Sequence, residues 1–102
     1  MMRSPLLFLG IARKAGKAIT GESMCENAIR SGKAHLAIIA QDASDNTKKK
    51  FSDMCRAREV KTVFFGQKNE IGHAVGKGDT AVICIIDMGI STKLQHMINE
   101  LN

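Results

Sequence analysis

Residues 18–40 read AITGESMCENAIRSGKAHLAIIA. Two glycines, Gly21 and Gly32, bracket a segment with helical periodicity. At 100° per residue, Met24, Cys25, Ala28, Ile29 and Gly32 fall on one side, and Ser23, Glu26, Asn27 and Arg30 on the other. Met24 is read as the edge of the buried stripe. Glu26 and Arg30 stand four apart in the order that favours a helical ion pair. The run AHLAIIA that follows is apolar at nearly every position, the pattern of a strand covered on both faces. A helix feeding a doubly buried strand predicts a layered α/β fold.

The same alternation continues in both directions. Ser4-Pro5 opens a first helix, a capping hydroxyl followed by a proline that needs no amide partner. Leu7, Ile11 and Ala15 share one face of it, and Gly16 stops it. Residues 17–20 are too few for a helix and read as a short strand. QDASDNT is a turn and helix cap, with Ser44 or Asp45 capping. Phe51, Met54, Cys55 and Arg58 define the inner face of the helix after it. VKTVFFG is a strand. Ile71, Ala74 and Val75 recur at helical spacing until Gly76 and Gly78 break the pattern. TAVICIID is a second fully apolar strand, and Ile90, Leu94, Met97, Ile98 and Leu101 line one face of a last helix. Four strands alternating with helices predict a three-layer α/β/α sandwich. At 102 residues the chain holds one core, so residues 1–102 are read as a single domain.

No apolar run reaches the roughly 18–20 residues of a membrane span. The N-terminal SPLLFLGIA lacks a signal-cleavage pattern and passes directly into RKAGKA, so it is read as a first helix and the protein as cytoplasmic. Cys25, Cys55 and Cys84 stand far apart, form no CxxC pair and are read as buried small hydrophobes. The charge is uneven. Residues 1–68 hold 13 basic and 6 acidic side chains, and residues 69–102 hold 2 and 4. Concentrated positive charge fits a polyanion partner.

Enzymatic constellations are weak. GHAVGKGDT approaches a phosphate loop but is one residue short between its glycines and lacks the magnesium-binding hydroxyl. The triplet SDN at residues 44–46 is explained by a helix cap. His35, His73 and His96 have no metal-ligand spacing, and nothing selects a nucleophile or an acid–base pair. The chain is therefore read as a non-enzyme with no cofactor and no metal. Lys48, Lys49 and Lys50 read as a solvated helix face, with a peripheral contribution to RNA binding as the other reading. All four phenylalanines fit core positions, which leaves no exposed aromatic platform for stacking bases.

The stretches LLFLGIARKAGKAITGE, AIRSGKAHLAIIAQDASDNTKKK and EIGHAVGKG resemble the kink-turn RNA-binding ribosomal proteins, the L-seven-Ae/L-thirty-e superfamily, and more narrowly its bacterial YlxQ-type members. The likeness runs from Leu6 to Leu101. It implies an α/β/α sandwich around a mixed sheet. It also implies binding of a sharply bent RNA internal loop closed by sheared G·A pairs, with ribosomal RNA and the ribosome among the partners, no membrane, and a monomeric protein. In the family a G-x-N-E-x-x-K motif at the start of the second helix contacts guanine edges and backbone. Here Gly21 keeps the glycine, while Ser23, Met24 and Asn27 stand at the asparagine, glutamate and lysine positions. A second family loop covers a flipped-out base. Its match is Lys68-Asn69-Glu70-Ile71-Gly72, with Ile71 in the apolar place.

Elementary chemistry supports the first of these segments. Helix N-termini present unpaired amides and partial positive charge, which suit phosphate oxygens. Ser23 and Asn27 lie one turn apart and can bond base edges. Lys17, Arg30 and Lys33 are expected to hold phosphates. Glu22 is the awkward group: it either complements the helix dipole or accepts from a guanine amine. The alternative function is a protein–protein adaptor of the same fold with weakened RNA binding.

Overall fold

The computed structural model describes residues 4–101. Its elements run α1 (Pro5–Lys14), β1 (Ala18–Thr20), α2 (Glu22–Arg30), β2 (Leu36–Ile39), α3 (Asp45–Ala57), β3 (Lys61–Phe64), α4 (Lys68–Ala74), β4 (Val82–Ile85) and α5 (Met88–Asn99). Ser4 caps α1 through its hydroxyl, and Pro5 takes the first helical position. Gly16, with φ +74°, turns the chain out of the helix.

The four strands lie in the order β1-β4-β2-β3. β2 and β3 are parallel, and β4 is antiparallel to β1 and β2, so the sheet is mixed. β2 and β4 occupy the centre, and every one of their residues is buried. That is why these two segments are apolar without alternation. α2 and α3 pack together as one layer, while α1 packs with α4 and α5 in the other. The predicted α/β/α sandwich is the observed architecture.

The pairing register defines two ends of the sheet. Ala18, Leu36, Lys61 and Ile85 lie at one, and Thr20, Ile39, Phe64 and Val82 at the other. The second end carries the starts of α2, α3 and α4. The first carries the ends of α1, α2 and α3.

Several faces differ from expectation. α1 buries Leu9 and Ala12, and leaves Leu7 and Ile11 66% and 53% exposed. Gly10 sets this rotation: a Cβ there would stand 2.8 Å from the Ala74 carbonyl oxygen, so α4 presses on that side of α1. Met24 is exposed, because Cys25, Ala28 and Ile29 alone fill the space under α2. Arg58 is exposed and donates from its guanidinium to the Arg30 carbonyl at 2.7 Å. Phe64 ends the edge strand and is 47% exposed, and Leu101 lies beyond α5 and is exposed.

The cysteines are buried free thiols. Cys25 Sγ donates to the Ile19 carbonyl at 3.3 Å. The Cys25 side chain and burial push the Cys84 thiol far up, and burial raises Cys55. Such thiols are inert packing groups.

Candidate functional site

A groove of about 520 Å³ opens at the end of the sheet that carries Thr20 and Val82. It is built where three helices begin. Gly21 precedes α2 with φ +92° and ψ 146°, a conformation that side-chain-bearing residues rarely adopt, and it offers no side-chain cap. The first amides of α2 are therefore without a side-chain acceptor. Both neighbouring helices are capped. Ser44 Oγ accepts from the Thr47 amide at 3.1 Å at the start of α3. Glu70 accepts from the Gln67 amide at 2.9 Å, and Asp42 from the Lys68 amide at 2.8 Å, at the start of α4. Replacing Ser44 by alanine is expected to cost about 1 kcal/mol, a thermal-denaturation midpoint lower by about 4–8 °C.

The fourth wall is the segment from Lys77 to Ala81. The Thr80 amide donates to the Lys68 carbonyl at 3.0 Å, and Thr80 Oγ1 to the Gly78 carbonyl at 2.9 Å. Gly72 packs directly on the Gly78 carbonyl, which holds this segment against α4.

The expected site residues divide into four groups. Gly21, Glu22 and Lys68 line the groove. Ser23, Met24 and Asn27 are exposed along α2, and Asn69 and Glu70 are exposed on α4. Ile71 and Gly72 are buried, and Ile71 has no exposed surface, so the apolar cover assigned to Ile71 is not available to a ligand. Lys17, Arg30 and Lys33 lie at the opposite end of the sheet. β1 and β2 both start there, and α2 has by then run its full length. They do not share a surface with Gly21.

The groove also contains residues the motif reading passed over: Ser44, Thr47, Lys77, Gly78, Asp79 and Thr80. In the sequence KGDT reads only as part of a failed phosphate loop. Its signal was the glycine pair after a helical pattern, which marks a chain that turns back across the helix start.

The electrostatics reverse the expectation from net charge. Lys48, Lys68 and Lys77 sit at this end with Glu22, Asp42, Asp45, Glu70 and Asp79. Three of these carboxylates are engaged. Asp42 and Glu70 cap α4, and Glu22 accepts from Thr47 Oγ1 at 3.5 Å. Positive potential in the groove comes from the helix starts and the lysines, set among acceptors. The other lysines of the run are paired, Lys49 with Asp53 at 3.0 Å and Lys50 with Glu26 at 3.1 Å. Lys50 and Arg30 hold the Glu26 carboxyl below its usual range. Uncapped amides, a serine, a carboxamide and carboxylates on one surface suit a partner that presents both phosphates and base edges.

Among the described residues no group of three or more His, Cys, Asp or Glu could hold a metal ion. None of the helices is long and apolar enough to cross a membrane.

A family model described as "Ribosomal protein L7Ae/L30e/S12e/Gadd45 family" matches residues 8–95. A Bacillus subtilis protein named RNA-binding protein YlxQ is 32% identical over 91 residues, covering 89% of this chain and 91% of the relative. An Enterococcus faecium protein of the same name is 39% identical over 90 residues, covering 88% and 86%. A solved Bacillus halodurans structure, described as a protein with unknown function, superposes with a TM-score of 0.90 at 34% identity. That superposition covers 94% of this chain and 97% of the other.

Proposed function

The chain belongs to the ribosomal protein L7Ae/L30e/S12e/Gadd45 family, and from that premise we propose that it is a non-enzymatic RNA-binding protein that recognises a kink-turn or a related bent internal loop. The groove at the start of α2 is the contact surface. One observation carries the placement: α2 begins in the groove with no side-chain cap, at a glycine, while its two neighbours are capped. RNA supplies the missing acceptors as phosphate oxygens or guanine O6 and N7. Ser23 and Asn27 bond base edges along the same helix, and Glu22 and Asp79 accept from guanine amines. Lys68 and Lys77 hold phosphates. Exposed Met24 lies against a base or ribose face. The family likeness supports a cytoplasmic, ribosome-linked role for a monomer.

The test is a titration with a kink-turn RNA against a control whose G·A pairs are converted to Watson–Crick pairs. The kinked RNA is expected to bind at least about tenfold more tightly, about 1.4 kcal/mol. Equal affinities would overturn kink recognition. Absence of binding to either RNA would favour the adaptor reading. Its specific support is a second, largely apolar groove of about 500 Å³ between α1 and α4, where Leu7 and Ile11 are exposed.

A further inference from the structure

We propose that the opposite end of the sheet is a second RNA-binding surface, one that takes the phosphate backbone of a duplex. The sequence GKA occurs twice, at residues 16–18 and 32–34. Both copies form the same turn. Gly16 and Gly32 take φ +74° and +82°. The Lys17 amide donates to the Ala12 carbonyl at 2.9 Å, and the Lys33 amide to the Ala28 carbonyl at 3.0 Å. Each turn leads from the end of a helix into a strand, and β1 and β2 run in the same direction with β4 between them. Lys17 and Lys33 are therefore delivered to one end of the molecule. Lys61 joins them, because it pairs in register with Leu36 at the start of β3. Three strand spacings of about 4.8 Å separate β1 from β3, so the row extends about 14 Å.

Lys14, Arg30 and Arg58 flank this row from the ends of α1 and α2 and from the turn after α3. All six cations are exposed. Complementing the helix dipoles accounts for Lys14, Arg30 and Arg58. It does not account for Lys17, Lys33 or Lys61, which lie outside helices. Among the described residues the loops there carry the carboxylates Glu59 and Asp87; Asp87 is occupied in accepting from the Ile90 amide at 2.9 Å, and of the six cations Arg30 is paired with Glu26 at 3.0 Å. The positive excess of the first two-thirds of the chain collects here and not at the groove.

The chemistry selects the partner. Among the described residues, the large hydrophobics exposed towards this end are Met88 and, in the last turn of α1, Ile11, and the exposed Phe64 lies at the other. Protein interfaces are built around apolar and aromatic cores, and single strands are held by aromatic stacking. A polar, cationic, aromatic-free row fits the backbone of a duplex. The assignment to RNA rests on the function proposed above, with the duplex a stem adjoining the bent loop or a separate helix.

The experiment titrates a fluorescent RNA duplex without an internal loop at about 50 and 200 mM salt. It compares the unaltered protein with K17Q/K33Q/K61Q and with K68Q/K77Q. Three phosphate contacts account for a fall of about 20- to 40-fold in affinity between these salts. The triple variant is expected to lose that part of the salt dependence and to keep its preference for kinked over control RNA. The groove variant is expected to bind the plain duplex as the unaltered protein does. Linking the duplex to kinked RNA in one molecule tests whether a stem of the same RNA is the source, by an added affinity that the triple variant lacks. Unchanged duplex binding by the triple variant overturns the proposal. So does a failure of the unaltered protein to bind duplex at low salt, including the case in which it binds an acidic polypeptide instead. The kinked-against-control comparison stands or falls separately from all three.

Discussion

A Gly72→Ala variant is expected to lose about 3 kcal/mol of stability, a fall in the thermal-denaturation midpoint of at least about 12 °C. Gly72 lies inside α4, where an added methyl group is ordinarily favourable. Here the new Cβ would overlap the carbonyl group of Gly78 and stand 3.1 Å from the Lys77 carbonyl oxygen. Backbone cannot yield as a side-chain tip can. The Lys77 amide is also bonded to the Gly72 carbonyl at 2.8 Å, so the segment is pinned from both sides. Accommodating the methyl group means lifting residues 77–81, and these form one wall of the groove. Folded Gly72→Ala protein should therefore also bind kinked RNA more weakly. Gly78→Ala is the control, since a Cβ at that position meets nothing within 4 Å. Its midpoint should move by no more than about 0.5 kcal/mol equivalent. Similar losses in both variants would show that the close approach of the two backbones does not matter.

What was legible in the sequence follows the range of the forces involved. The caps at Ser4 and Ser44, the turns at Gly16 and Gly32 and the two doubly buried strands depend on a few consecutive residues, and each lies where its pattern indicates. The inner face of α1 does not depend on α1 alone. In PLLFLGIA apolar residues occur on every side, so periodicity cannot choose a stripe. The choice falls to α4, whose Ala74 carbonyl requires a residue without Cβ at position 10. Phe64 departs from its expected core position for a related reason. Its strand is apolar enough for the centre of a sheet, but the strand order places it at the edge.

The groove was legible only in part because it is assembled from four separate segments of the chain. Gly21 is visible from one helix start alone. Ser44, Lys68 and Thr80 reach it through the parallel pairing of β2 and β3 and the reversed direction of β4. The same topology divides the cations. Lys17 and Arg30 lie within nine residues of Gly21 and were grouped with it, yet each is separated from it by the length of β1 or α2. A charge surplus counted along the chain says that a polyanion is expected. Strand direction then decides at which end of the sheet each cation lies, which a count along the chain does not show.

Ile71 gives the sharpest separation between core and contact. If it covered a flipped-out base, it would be exposed and its replacement would change binding more than stability. It is instead enclosed, with Asn69, Glu70 and His73 on the outer face of α4 and Gly66 turning closely beneath it. Ile71→Asp would place an unpaired carboxyl group in an apolar core, at a cost of more than about 4 kcal/mol against a total stability of about 5–15 kcal/mol. It is expected to abolish cooperative thermal unfolding or to leave the protein unfolded at room temperature. Ile71→Ala should cost about 2–5 kcal/mol, and Ile71→Val about 0.5–1.5 kcal/mol. Folded Ile71→Val should bind kinked RNA as the unaltered protein does, because no surface has changed. Circular dichroism melts and the RNA titration on the same samples distinguish the cases. An Ile71→Asp protein that melts normally while losing kinked RNA would place the side chain at the surface, and would return to residue 71 the role of covering a flipped-out base.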